Sequence, residues 1–443
     1  MSSRIKVKIR IKDLLLILVL VSFLPKESFI ILIFFIISFL IFLCKFYKTY
    51  SFNIIQLSII ILFVSFLYSL IIQIFTGNYL VFIHLIIYIL IYFYFYYFLF
   101  ALSKDNNPIK YIKLLKVFNI FVWIQVIIIL CKAPFNHFER GDWAYGTTIH
   151  AHAAGFFIIV LCTYLLYKFY KKKTFLNFIK LSIALFAMYL CDVNQFMFSW
   201  LVALGISIFL LSNKKKKLIA FFISIFLLIF TVYWFWTLFS WSVENIDNIR
   251  KIKGYKSAVI FYKENPYLLP FGAGLGMFSS RAAVALADES VLAKPGGKRL
   301  SINSNSPYLK KYLSYLYTPE YYQHLLKIGT TGTFYTPFSE VLSIISEYGL
   351  VGTVVFIFIW VYIFRFILRL KYIDKAITFV SLTLFITYTI VLFYDNWLAR
   401  PNVFFPVLLY ILTCIAYINS IKYKTIFYKY KVKYFTINFK TLA

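Results

Sequence analysis

Residues 214–239 read KKKKLIAFFISIFLLIFTVYWFWTLF, and no charge follows Lys217 in that stretch. A helix crossing the hydrocarbon core of a bilayer needs roughly 20 apolar residues. This run meets that length without a break. It shows no alternation of apolar and polar residues, so it is not the strand of a membrane barrel. The four lysines Lys214–Lys217 stand at one end only. The stretch therefore reads as a membrane-spanning helix with a basic anchor on one side.

The same pattern recurs along the chain. Candidate spans lie at 13–25, 28–46, 53–76, 79–101, 114–131, 150–168, 175–191, 195–212, 217–239, 339–364, 376–394 and 402–420. That makes about twelve. The chain is 62% hydrophobic, with 52 Phe and 37 Tyr, more apolar surface than a soluble core can absorb. The expected fold class is an all-α polytopic membrane protein with about twelve transmembrane helices. Its N-terminus has a basic start and a short apolar core, as a signal peptide has. No small-residue cleavage site follows, so 13–25 is expected to be a retained first span. The cysteines Cys44, Cys131, Cys162, Cys191 and Cys414 are odd in number and lie in or beside apolar runs. They read as small buried residues and not as a disulfide framework.

Formal charge is +30. In a soluble chain this would point to nucleic acid. Here the cations fill the short loops that the positive-inside rule places in the cytoplasm: Arg4 to Lys12, Lys45/Lys48, Lys110/Lys113/Lys116, Lys168 with Lys171–Lys173, Lys214–Lys217, and Arg365 to Lys375. No nucleic-acid partner is expected. The opposing loops, such as TGN at 76–78 and CDVN at 191–194, are poor in charge. Both termini are then cytoplasmic, and the chain divides into 1–239, with spans one to nine, 240–338, a large external loop between spans nine and ten, and 339–443, with spans ten to twelve and a basic tail. A structureless loop of that length is uncommon and usually functional. Short helices are expected within it near 250–264 and 307–328.

Three external places concentrate polar groups. The first, KAPFNHFERGDWAYGTTIHAH at 132–152, holds Arg140, His150 and His152. Two histidines two apart face different sides of a helix, which is poor metal spacing, and no metal or cofactor is expected. Arg140 is either a cap in an interfacial loop or an anion ligand. The second is RKIKGYK at 250–256, followed by PFGAGLGMF at 270–278. Basic residues outside the cytoplasm are unexplained by topology, whereas a phosphorylated ligand at the outer leaflet would explain them. The glycines lack the spacing of a nucleotide loop, and no strand precedes them. They let the backbone turn tightly and approach a neighbouring helix or a diphosphate. The third is SEVLSIISEYGLVG at 339–352. Here Glu347 enters apolar sequence, where a carboxylate is costly and so is a candidate substrate contact, and Gly349 and Gly352 have the spacing of close helix packing. Arg400, with Asp395, forms a similar candidate in the last external loop.

The order of these features resembles the O-antigen and capsule polymerases (the Wzy type), within the superfamily they share with the O-antigen ligases. The likeness lies in two blocks. In 250–278 it rests on Arg250 or Lys251, Tyr255, Pro266, Gly272, Gly274, Gly276 and Phe278. In 339–352 it rests on Glu347, Gly349 and Gly352. The resemblance implies a type C glycosyltransferase-like fold in a bacterial inner membrane. It implies a metal-independent enzyme that joins sugars carried on undecaprenyl diphosphate into O-antigen or capsular polysaccharide. Its expected partners are those lipid-linked glycans, membrane lipids and a chain-length regulator. It also implies arginines on the diphosphate and a base for the acceptor hydroxyl. Arg250, Lys251 and Arg281, with Arg140 and Arg400, are the expected cations. The chain departs from the pattern where the family has Ser-Arg at the start of span eight. Asn194 and Gln195 stand there, leaving Arg140 or Arg281 to supply the charge. It departs again where the ligases carry His-Asn, since here Phe338 and Ser339 occupy those positions. That argues against a ligase and leaves the base among Glu340, His150 and His152. A lipid-linked oligosaccharide flippase is the competing class, but it would show repeated halves and short loops.

Overall fold

A computed structural model describes residues 108–141, 143–146, 151–244, 250–274, 277–278, 307–313, 315, 339–369, 371 and 375–394. Among these residues every regular element is a helix. In chain order they are α1 (Pro108–Lys132), α2 (Ala151–Lys171), α3 (Phe175–Leu190), α4 (Asn194–Leu211), α5 (Lys217–Glu244), α6 (Arg250–Glu264), α7 (Pro307–Tyr312), α8 (Glu340–Arg369) and α9 (Lys375–Val391). Four helical stretches, Ala151–Lys171, Asn194–Leu211, Lys217–Trp234 and Glu340–Leu368, are long and apolar enough to cross a membrane. Phe118–Lys132, Phe175–Leu190 and Lys375–Val391 are apolar but shorter. The spans expected at 13–25, 28–46, 53–76, 79–101 and 402–420 lie outside the described residues, as does most of 281–338.

Helix α2 is the centre of the bundle. Every residue from Ala153 to Thr163 is buried, and α1, α3, α4 and α9 pack around it. Small residues at its start (Ala151, Ala153, Ala154, Gly155) allow close approach, since a Cβ on Gly155 would lie 2.6 Å from Val193 in the α3–α4 turn. Polar ties join the apolar helices. Trp200 Nε1 on α4 donates to Thr163 Oγ1 on α2 at 2.8 Å, and Trp360 Nε1 on α8 donates to Thr389 Oγ1 on α9 at 2.7 Å. Within a bilayer one such bond contributes on average about 0.6 kcal/mol. Ser224 on α5 donates to the Gly205 carbonyl of α4 at 2.6 Å.

Helix α5 turns most of its apolar side chains outward. Leu218, Phe226, Ile229 and Tyr233 are each more than 60% exposed. In water that surface would be costly; against lipid tails it is not.

Two apolar cores result. The larger lies among α1–α4, α8 and α9. The smaller joins α6, α7, the 268–278 loop and Leu342 of α8. The helix expected at 250–264 is α6, and that expected at 307–328 is described as far as Tyr312.

Helix α8 has a break within it. Gly349 has φ 64° and ψ −163°, outside helical geometry. The break leaves about 20 residues after Gly349, the length of one span, and sets the turns carrying Glu340 and Glu347 before it.

Candidate functional site

The break in α8 is filled by main chain. Helix α6 runs alongside the first turns of α8. Tyr255 hydroxyl lies 2.7 Å from Ser339 Oγ, and one heptad later Tyr262 hydroxyl donates to the Ile345 carbonyl at 2.5 Å. Asn265 and Pro266 end the helix, and the chain turns back through Gly272 to cross the gap at Gly349. Ala273 and Gly274 N–H donate to the carbonyls of Ser346 and Glu347 at 2.8 and 3.1 Å. On the far side, Leu350 and Val351 N–H donate to Leu269 and Pro270 carbonyls at 2.9 and 3.0 Å. The orphan groups created by the break are thus satisfied by one loop. A Cβ on Gly272 (φ 77°) would lie 2.5 Å from the Glu347 carbonyl, so glycine is needed there.

Glu347, expected to meet substrate, is fully buried, and its Oε1 accepts from Phe278 N–H at 3.0 Å. Gly349, expected at a helix–helix contact, meets the 271–272 backbone instead. Gly272 and Gly274 lie in the docking loop, and Gly276 is outside the described residues.

The ionisable groups of this region are perturbed by their surroundings. Burial pushes the Tyr262 phenol well up, and the Glu347 charge adds to the shift. Burial also raises Tyr255, partly offset by its bond to Ser339. At the end of α6, hydrogen bonds from Lys311 and Tyr312 hold the Glu264 carboxyl below its usual range, and the same contacts raise the Lys311 ammonium. That Lys311–Glu264 pair, 2.6 Å apart, ties α7 to α6.

At the start of α8, Ser339 Oγ and Glu340 N–H donate to the Leu392 carbonyl at 3.2 and 3.0 Å. This brings the end of α9 to the same place. Glu340 is buried, and its N–H bond to Leu392 sets it one turn from Tyr388 on α9. The Tyr388 ring packs on Phe156 (5.7 Å), Phe156 on Phe196 (4.9 Å), and Phe196 on His152 (6.0 Å). Tyr255 of α6 thus contacts the residue next to Glu340, and a run of aromatic contacts leads from Tyr388 of α9 to His152 of α2. The first turns of α2, α4 and α8 gather at this end, where their dipoles favour an anion. Lys251 on α6 is buried, while Lys256 is exposed. Arg250 begins α6. His150, Arg281 and Arg400 lie outside the described residues.

Arg140 reaches the α3–α4 turn. Its Nη2 is 2.5 Å from Asn194 Oδ1 and 2.5 Å from Asp192 Oδ1, and its Nε donates to the Tyr189 carbonyl at 3.2 Å. Its guanidinium also covers the Tyr189 ring at 4.6 Å. Arg140 thus reaches Asn194 from another segment, with its charge paired to Asp192. Gln195 itself is buried in the first turn of α4. The arrangement predicts that Arg140→Ala lowers unfolding stability by about 1 kcal/mol, because the pair is partly exposed. A double-mutant cycle with Asp192→Ala checks this; no coupling between the two would refute a structural role.

Sequence reasoning did not single out Tyr262, Tyr388 or Asp192. The spacing of Tyr255 and Tyr262, seven apart on one helix face, was a usable signal. Tyr388 and Asp192 carried none. Among the described residues no group of three or more His, Cys, Asp or Glu is placed to hold a metal ion. No family model, curated protein or solved structure matches the chain.

Proposed function

We propose that this chain is a membrane glycosyltransferase that polymerises undecaprenyl-diphosphate-linked oligosaccharide repeats into O-antigen or capsular polysaccharide. The observation that carries the reading is the docking of 268–278 onto 345–351. The two stretches on which the family likeness rests, distant in sequence, meet as one unit beside the converging starts of α2, α4 and α8. About twelve spans, cytoplasmic termini and an external 240–338 segment complete the architecture. The site then faces the outer side of a bacterial inner membrane.

In this reaction the acceptor hydroxyl oxygen attacks the anomeric carbon of the lipid-linked glycan. The bond to the diphosphate oxygen breaks, and the diphosphate leaves with the electron pair. Direct displacement inverts the anomeric carbon. Cations on and near α6 (Arg250, Lys251 and Arg281) offset charge on the leaving group, with Arg400 as a further contributor. Arg140, paired with Asp192, holds the α3–α4 turn and is not counted among them. Glu340 takes the hydroxyl proton. It directly follows Ser339, which Tyr255 of the basic helix contacts at 2.7 Å. No metal or nucleotide sugar takes part.

Deleting the gene is expected to leave the cell surface capped with single repeats. Absence of even single repeats would favour a flippase, and long polymer left on its lipid carrier would favour a ligase. Arg250→Ala combined with Lys251→Ala, at matched protein level, is expected to shorten the glycan to one or a few repeats. Unchanged chain length would remove the diphosphate role from α6.

A further inference from the structure

Glu347 stands where three elements meet. Its backbone carbonyl receives Gly274 N–H, and its carboxylate receives Phe278 N–H. Phe278 is itself fully buried, and its ring packs on Phe261 of α6 at 5.1 Å and on Tyr312 of α7 at 6.3 Å. Tyr262 of α6 reaches the carbonyls just before Glu347. One carboxylate therefore joins α8, the end of the glycine loop, and the aromatic core beneath α6. A fully buried carboxylate bonded to its own main chain is not shaped to meet a sugar. It is shaped to hold a loop, because leaving either partner unpaired in that interior is costly.

We infer that Glu347 is a positioning residue: by gripping Phe278 it locks the 269–278 loop across the break in α8, and so sets the basic half of α6 opposite Glu340. The kinetic part of this inference rests on the polymerase reading above; the structural part does not.

Two substitutions separate reach from charge. Glu347→Gln keeps an oxygen at the same distance from Phe278 N–H and removes the charge. Glu347→Asp keeps the charge and withdraws the oxygen by one methylene. Hydrogen exchange on the full-length protein in detergent, read over 269–278, is expected to stay slow in Glu347→Gln. In Glu347→Asp it is expected to quicken about tenfold or more. Polymerisation of purified lipid-linked repeat is expected to follow the same order. Glu347→Gln should be faster than Glu347→Asp, the loss in Glu347→Asp should fall on kcat more than on KM, and the pH profile should be unmoved. The inference is overturned if the aspartate variant keeps the loop protected. It is also overturned if the glutamine variant keeps the loop protected yet is as inactive as the aspartate variant, because the carboxylate then serves the reaction itself. If wild-type protein makes no polymer, the polymerase reading fails, and the exchange data alone decide the anchor.

Discussion

Gly349→Ala is expected to abolish recovery of a monodisperse protein in detergent. The backbone at Gly349 (φ 64°, ψ −163°) lies in a region essentially reserved for glycine. Forcing an L-residue into it costs about 1–3 kcal/mol. The steric term is larger. A Cβ there would overlap the Gly272 nitrogen and lie 2.7 Å from Phe271 N and C. These are main-chain atoms and cannot rotate aside. To admit the methyl group the loop must withdraw, and four main-chain hydrogen bonds go with it, those from Ala273 and Gly274 lying among buried residues and those from Leu350 and Val351 at the loop's outer edge. Each buried group left unpaired costs about 1–3 kcal/mol. Gly272→Ala should fail in the same way, since its Cβ meets Glu347. The double substitution should be little worse than either alone, because a displaced loop has no second clash to suffer. Gly352→Ala is not a suitable control. Its new Cβ would touch the Tyr348 Cβ, which is fixed to the helix, so Gly141→Ala is used in its place: there the added Cβ meets only the Trp143 ring, at 3.4 Å, and the loss should be much smaller. Size-exclusion profiles and thermal stability of the four variants test this. Normal behaviour of Gly349→Ala would refute the docking geometry.

Phe261→Ala is expected to loosen the α6–α7 region while the bundle stays folded. Phe261 is fully buried, with ring contacts to Tyr262, Phe278, Tyr308 and Tyr312 between 4.7 and 5.5 Å. Truncating a buried Phe costs about 3–5 kcal/mol. That core is separate from the one around α2, so the cost falls locally. Hydrogen exchange should rise through α6 and the 268–278 loop and remain slow in α2. An equal rise in α2 would mean that the two cores unfold as one unit.

The helices themselves were legible in the sequence because a bilayer imposes a length. Expected spans 150–168, 175–191, 195–212 and 376–394 coincide within a few residues with α2, α3, α4 and α9. The misses are at polar ends. Helix α1 starts at Pro108, ahead of the expected 114, and α8 runs on to Arg369. Hydropathy marks where the apolar run stops, whereas a helix continues for as long as each added residue gains a hydrogen bond. Helix α6 was also legible, through its basic start and the Asn265-Pro266 stop.

The candidate site was legible only in part. Its residue types stood out as charges and glycines in apolar surroundings. Their partners did not. Arg140 read as a cap in an interfacial loop, with an anion ligand as the alternative, and Asp192 in a turn fifty residues away puts it in the first role. Glu347 read as a substrate contact because a carboxylate in a span is costly. Its compensation is the N–H of Phe278, a main-chain group that every residue but proline carries.

By itself the sequence determined that the chain is built of apolar helices of membrane-spanning length, where the described ones run to within several residues, and that its unusual residues gather in two glycine-bearing blocks. All three conclusions follow from local quantities, apolar length and residue type. Only the tertiary structure decided that the blocks interlock, that Gly349 breaks a helix and does not pack one, and that Glu347 turns inward. Those facts depend on which main-chain groups meet across some seventy residues of chain. Backbone donors and acceptors are the same at nearly every position, so no pattern of side chains announces their pairing.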